Sequence, residues 1–168
     1  MKEINYIDVS EKIQSQLPKG AFLTVKDNNE NINTMTIAWG NMGFMWNKPI
    51  FCVMVRYSRH TYKLIENAED FTVSFPTKNQ LKKELSFCGS KSGRDFDKIK
   101  ELNLKIQDSK KVKSPIIADC DINLECKIIY KQALDTSSMN EYIGEIYGEE
   151  KDYHVLYYGE ILSCLVSE

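Results

Sequence analysis

A chain of 168 residues with 42% hydrophobic and 27% charged side chains has room for one domain with a buried core. Its formal net charge of −2 argues against nucleic acid as the main partner, because a phosphate-backbone binder needs a basic face. No run of about 18 apolar residues occurs, so no membrane-spanning helix is expected.

The polar start MKEINYIDVSEKI does not read as a signal peptide. Asp8 to Leu17 follows the pattern of a short helix, capped by Ser10 or Asp8 and ended by Pro18 and Gly20. AFLTVKD (21–27) and INTMTIAW (32–39) read as strands joined by the turn NNEN, and so as a hairpin. GNMGFMWNKP (40–49) reads as a loop punctuated by glycine and asparagine. IFCVMVRY (50–57) is a strand apolar on both faces, His60 to Ala68 a helix, and DFTVSFP (70–76) a further strand. The middle, KNQLKKELSFCG and SKSGRDFDKIKEL, is helical and loop-rich. DINLECKIIYKQAL (121–134) is a strand, Asp135 to Asp152 a polar acidic spacer, and HVLYYGEILSCLV (154–166) the closing strand. No repeat or linker divides the chain. Many hairpin-type strands with few, irregularly placed helices fit an antiparallel barrel better than a parallel α/β sheet.

Five cysteines, Cys52, Cys88, Cys120, Cys126 and Cys164, are odd in number, widely spaced and free of any CxxC pair. They are expected to be reduced, buried thiols of a cytoplasmic protein, with no disulfide frame and no metal site.

Three stretches carry candidate chemistry. RYSRHT (56–61) places two arginines, a histidine and two hydroxyls where a strand hands over to a helix. The first N–H groups of that helix, the hydroxyls of Ser58 and Thr61 and the fork of Arg59 can together hold a phosphate. The same residues also suit a capped helix with solvated arginines. CGSKSGRDFDK (88–98) combines small residues, which let backbone approach a ligand, with Lys91, Arg94 and Lys98. NTMTIAW (33–39) alternates hydroxyl, thioether and apolar side chains at a strand end, suited to lining a flat aromatic ligand or to an ordinary core face. Neither GxxxxGK[ST] nor GxGxxG is present.

In their order and spacing, LPKGAFLTVKD through DFTVSF, CGSKSGRDFDK and HVLYYGEI resemble the flavin reductase-like FMN-binding split barrels, the group that includes flavoredoxins. The resemblance spans roughly residues 17–165. It implies a mainly β fold with inserted helices: an antiparallel, Greek-key split β-barrel forming a single domain over 1–168, and a homodimer with FMN near the subunit interface. It implies that Met35, Thr36, Ile37, Ala38 and Trp39 hold the isoalloxazine edge, and that Arg56, Ser58, Arg59, His60 and Thr61 hold the ribityl chain and phosphate. Ser90, Lys91, Ser92 and Lys98 would approach the flavin from the middle loop. His154 falls where NAD(P)H-using members carry Gly-Asp-His, but here Asp152-Tyr153 precede it.

The implied activity is a flavin reductase passing hydride from NAD(P)H to a flavin, an oxidoreductase with no separate catalytic side chain. The alternatives are a flavoredoxin-type electron carrier with bound FMN and a protein redox partner, or a flavin-binding protein without redox turnover. For His154 itself, a strand-start histidine bonded to a loop carbonyl is the competing expectation.

Overall fold

The computed structural model describes residues 1–167. A two-residue strand, Lys2–Glu3 (β1), and helix Ser10–Gln16 (α1) lead into Ala21–Lys26 (β2) and Ile32–Ile37 (β3). Gly40–Met45 (β4), Lys48–Arg56 (β5), His60–Ile65 (α2) and Asp70–Phe75 (β6) follow. The middle holds Lys82–Ser90 (α3), Lys98–Glu101 (α4) and the short pair Ile106–Gln107 (β7) and Ile116–Ile117 (β8). Ile122–Ala133 (β9), Glu141–Tyr147 (α5) and His154–Val166 (β10) complete the order.

The main sheet runs β3-β2-β6-β9-β10-β5-β4, antiparallel throughout, with β1 added to the far end of β10. Ile37 ends one edge strand and Gly40 begins the other. Three steps of chain reach at most about 11 Å, so the two edges must curl toward each other. The result is the expected barrel, left split where residues 38 and 39 cross from edge to edge.

Three local expectations need correction. The segment read as a loop, GNMGFM, is strand β4, because β5 offers it a complete antiparallel partner from Lys48 to Val53. The reversal takes only Trp46 and Asn47, both left-handed (φ 53° and 57°), as a tight two-residue hairpin turn requires. The first helix is capped by neither Ser10 nor Asp8. Asn5 accepts from the Ile7 N–H (3.1 Å) and starts a 3-10 turn, Tyr6–Val9, that runs into α1. The acidic spacer contains α5, capped by Asn140, whose side chain accepts from the Ile143 N–H (3.0 Å).

β2 is buried on both faces. Leu23 and Val25 join Phe51, Val53, Phe71, Val73, Leu124 and Tyr157 inside the barrel, while Phe22 packs with Leu85, Cys88 and Ile117 in a second cluster with α3. Two buried carboxylates fasten the loop before β8. Glu125 accepts from the Lys110 and Lys111 N–H groups (2.9 and 2.7 Å), and Asp70 from those of Lys113 and Ser114 (2.9 Å each). All five cysteines are free and buried, as expected. Burial pushes the Cys88 thiol up to about 11 and those of Cys52 and Cys164 to about 12. Among the described residues no helix is long and apolar enough to cross a membrane.

Candidate functional site

The split in the barrel is where the polar chemistry gathers. Met35 to Ile37 of β3 and the crossing residues Ala38 and Trp39 meet Met54 and Arg56 of β5 and His154 of β10 around a cavity of about 240 Å³. A second cavity of about 210 Å³ adjoins it, sharing Met35 and Arg59, and lies between Ser58 to Thr61 and the loop Ser90 to Arg94. Every candidate residue named from the sequence lines one or other of these spaces. A wider cleft of about 850 Å³ lies beyond His60. It mixes Asp27, Asp95 and Asp97 with Lys63, Arg94, Lys98 and Lys100.

Lining a cavity is different from being free to bind in it. Ser58 gives both its N–H (3.1 Å) and its hydroxyl (2.5 Å) to the Asp152 carboxylate. Thr36 donates to the Leu85 carbonyl (2.6 Å), clamping β3 to α3, and Ser90 donates back to Ser86 (2.8 Å). Buried Thr61 accepts from the Asn33 amide (2.7 Å). Buried Lys98 gives its ammonium to the carbonyls of Thr34 (2.9 Å) and Cys88 (3.0 Å), and burial lowers its pKa. These groups build the walls. Of the two hydroxyls expected to face a phosphate, that of Ser58 is spent on Asp152, whereas Thr61 accepts from Asn33 and keeps its own O–H to donate. α2, at six residues, is shorter than the helix read at 60–68.

The free chemistry is concentrated in four side chains. Arg59 is exposed and makes one bond, from Nη1 to the Gly89 carbonyl (3.1 Å). Arg94 reaches from the middle loop to the Ser58 carbonyl (2.9 Å), and the Lys91 ammonium sits 5.7 Å from the centre of the Phe96 ring. His60 is the fourth: its Nδ1 is buried with no partner, and burial, followed by Arg94 and Lys98, lowers its pKa. Gly93 permits this arrangement. A Cβ there would strike the Asn33 side-chain oxygen and come within 2.8 Å of the His60 ring. The glycine-rich loop is therefore held close against Asn33 and His60, its own neighbours in the fold.

His154 opens β10 directly opposite Arg56. Its Nδ1 lies 2.7 Å from the Tyr147 hydroxyl, so its partner is a phenol rather than a loop carbonyl. Its ring packs against Trp39, centroids 5.3 Å apart. Burial, then the positive charge of Arg56, pulls its pKa down to about 4, so the ring is neutral at neutral pH. An unfolded histidine takes up its proton near 6.5, so between that value and about 4 the unfolded chain holds the extra proton. Stability is therefore expected to fall as pH drops through this window. His60 contributes with the same sign, so the test is a difference: urea unfolding at pH 7.5 and pH 5 should show a smaller acid loss in His154→Gln than in the parent chain.

Reading the sequence passed over two residues here. Arg94 was named there for its charge in the middle loop, without a part of the flavin assigned to it. Asp152 and Tyr147 lie in the acidic stretch read as a spacer. Nothing local marks either as a partner of Ser58 or His154.

The sheet order, the crossing at residues 38 and 39 and the paired cavities define a split barrel of the flavin reductase type. The chain belongs to this family: residues 15–168 match the flavin reductase like domain. An uncharacterized protein of Archaeoglobus fulgidus is 33% identical over 117 residues, 70% of this chain but only 64% of that protein's length. The structure is similar to flavoredoxin of Desulfovibrio vulgaris (Miyazaki F), with TM-score 0.70, 21% identity and coverage of 89% of this chain and 69% of that one. It also resembles a putative flavin reductase with a split barrel domain from Shewanella frigidimarina, with TM-score 0.70, 14% identity and coverage of 98% and 76%.

Proposed function

We propose that the chain is an FMN-binding flavin reductase that takes hydride from NAD(P)H. The observation that carries this reading is a double cavity with a cluster of cations at one end and, at the other, apolar side chains bordered by Arg56 and His154. Arg59, Lys91, Arg94 and the unpartnered His60 Nδ1 stand at one end; Met35, Ile37, Ala38, Trp39 and Met54 stand at the other. A flavin mononucleotide has the same two halves, a phosphate tail and a flat aromatic ring, so the residues present fit it. When bound, FMN would supply the hydride-accepting ring.

The chain's own residues do the rest. The three cations hold the charged tail, with arginine forks suited to paired phosphate oxygens. Met35 and Trp39 shelter the ring from water. Arg56, whose guanidinium lies 5.3 Å from the centre of the Tyr147 ring, supplies positive charge beside the ring site and favours added negative charge there. No acid–base side chain is required. Purified protein loaded with FMN is expected to bleach in the flavin absorbance band on adding NADH or NADPH. If neither bleaches a bound flavin that light still reduces, the carrier reading replaces this one. That alternative is favoured by Asp152-Tyr153 standing before His154 in place of Gly-Asp, with Asp152 turned to Ser58.

A second copy of the chain is the proposed partner. The β4–β5 hairpin exposes Phe44 (66%) and Trp46 (53%) beside Tyr130 (45%). The rings of Trp46, Tyr130 and Tyr158 lie within 5.5–5.8 Å of one another, forming an aromatic surface larger than a lone exposed residue. Trp46→Glu is expected to shift the sedimenting mass from two chains to the 19.5 kDa of one. A parent chain that already sediments at the single-chain mass with flavin tightly bound would rule out the dimer. A cytoplasmic setting fits the five unpaired thiols.

A further inference from the structure

Tyr147 ends α5, and its ring is buried against Tyr153 and His154, with centroids 5.0 and 5.6 Å away. Its hydroxyl and His154 Nδ1, 2.7 Å apart, are the only polar partners either atom has among the described residues. A phenol in this position must place its one hydrogen, and the imidazole lone pair is the acceptor in reach. With the phenol donating to Nδ1, the neutral ring carries its own hydrogen on Nε2. His154 lines the ring end of the split together with Trp39, and Nε2 has no protein partner among the described residues. The charged groups around this pair are Arg56 of β5, Arg59 and Asp152.

We propose that Tyr147 is a positioning residue that fixes His154 in the Nε2–H form, leaving that N–H to bind a carbonyl or carboxamide oxygen of the molecule that reacts at the flavin ring. The choice of ligand rests on the reductase reading above; the tautomer does not. In this arrangement the helix within the acidic stretch has a task at the site. It presents a phenol that decides which edge of the histidine is a donor, and so gives the cavity a hydrogen-bond donor that stays neutral near pH 7.

The test uses the full, flavin-loaded chain labelled with ¹⁵N, and reads long-range proton–nitrogen correlations of the imidazole rings. The sequence has two histidines, so His154→Gln assigns the signals. His154 is expected to show a bare Nδ1 and a protonated Nε2. Tyr147→Phe should turn this into a mixture of tautomers and raise the KM for NADH about five- to tenfold, the size of one lost hydrogen bond. The FMN dissociation constant should stay unchanged. A protonated Nδ1 in the parent chain overturns the proposal, and this reading holds even if the Tyr147→Phe chain fails to fold. A Tyr147→Phe chain with unaltered ring signals and KM also overturns it. If NADH proves inert while the tautomer and its dependence on Tyr147 are as expected, the reductase reading fails. Positioning of His154 by Tyr147 then stands, and the donor's ligand is sought by titrating nicotinamide as a carboxamide probe. Unmoved ring signals on that addition would overturn the ligand assignment.

Discussion

Replacing Arg59 with alanine is expected to weaken FMN binding about ten- to a hundredfold while leaving the melting temperature nearly unchanged. The two effects separate because the side chain is exposed and bonds only the Gly89 carbonyl, so little folded structure depends on it. It stands at the junction of the two cavities, where a charge-assisted contact to a phosphate would contribute roughly 1.5–3 kcal/mol. Fluorescence quenching of FMN on titration measures the affinity, and calorimetry measures the stability. An unchanged dissociation constant would remove Arg59 from the phosphate end and shift that role to Arg94 and Lys91. Lys98→Met should behave in the opposite way. Its ammonium joins β3 to α3, so stability should fall first, with FMN affinity following as the wall loosens.

Gly159→Ala should cost about 1–3 kcal/mol of stability, well beyond an ordinary alanine substitution in a strand. β9 carries one extra residue, Ile129, opposite the Tyr158–Gly159 step of β10, and at this bulge the β10 backbone lies against the core. A Cβ at 159 would lie 2.5 Å from the tip of the Phe71 ring and 2.7 Å from the Cys126 Cβ. Both neighbours are completely buried, so neither has room to give way. Urea unfolding of the two chains measures the difference. A loss below about 0.5 kcal/mol would mean that the β9–β10 pair can shift enough to admit the methyl group.

Much of this was legible in residues that act close to their own place in the chain. RYSRHT and CGSKSGRDFDK each carry their charge locally, and two loops of that kind in a net-acidic chain point to one anion. β2, β5, β6, β9 and β10 are strong apolar strands that announce themselves. β4 did not, since Gly40, Asn41 and Gly43 favour turns and the strand forms only because β5 lies alongside. The turn residue Trp46 is also atypical for left-handed backbone, a position usually filled by asparagine or glycine. The hydroxyls misled for a related reason. Ser58 and Thr36 look like ligand donors until Asp152 and the Leu85 carbonyl, 94 and 49 residues away, are brought beside them. Tyr147 was invisible because its partner lies across the start of a strand.

The five sealed thiols turn the chain into its own opening gauge. Alkylating agents and peroxide attack thiolate, and a thiol with a pKa near 11 is ionised at pH 7 only about once in ten thousand molecules. Modification of the native chain must therefore wait for a segment to come apart. The reporters are spread across it: Cys52 on β5, Cys88 and Cys120 in the cluster with α3, and Cys126 and Cys164 in the barrel core. Peptide-resolved labelling over time should rank these regions by how often each one breathes. Flavin seated between α2 and α3 should slow the reaction at Cys88, which lines its cavity, more than at Cys126.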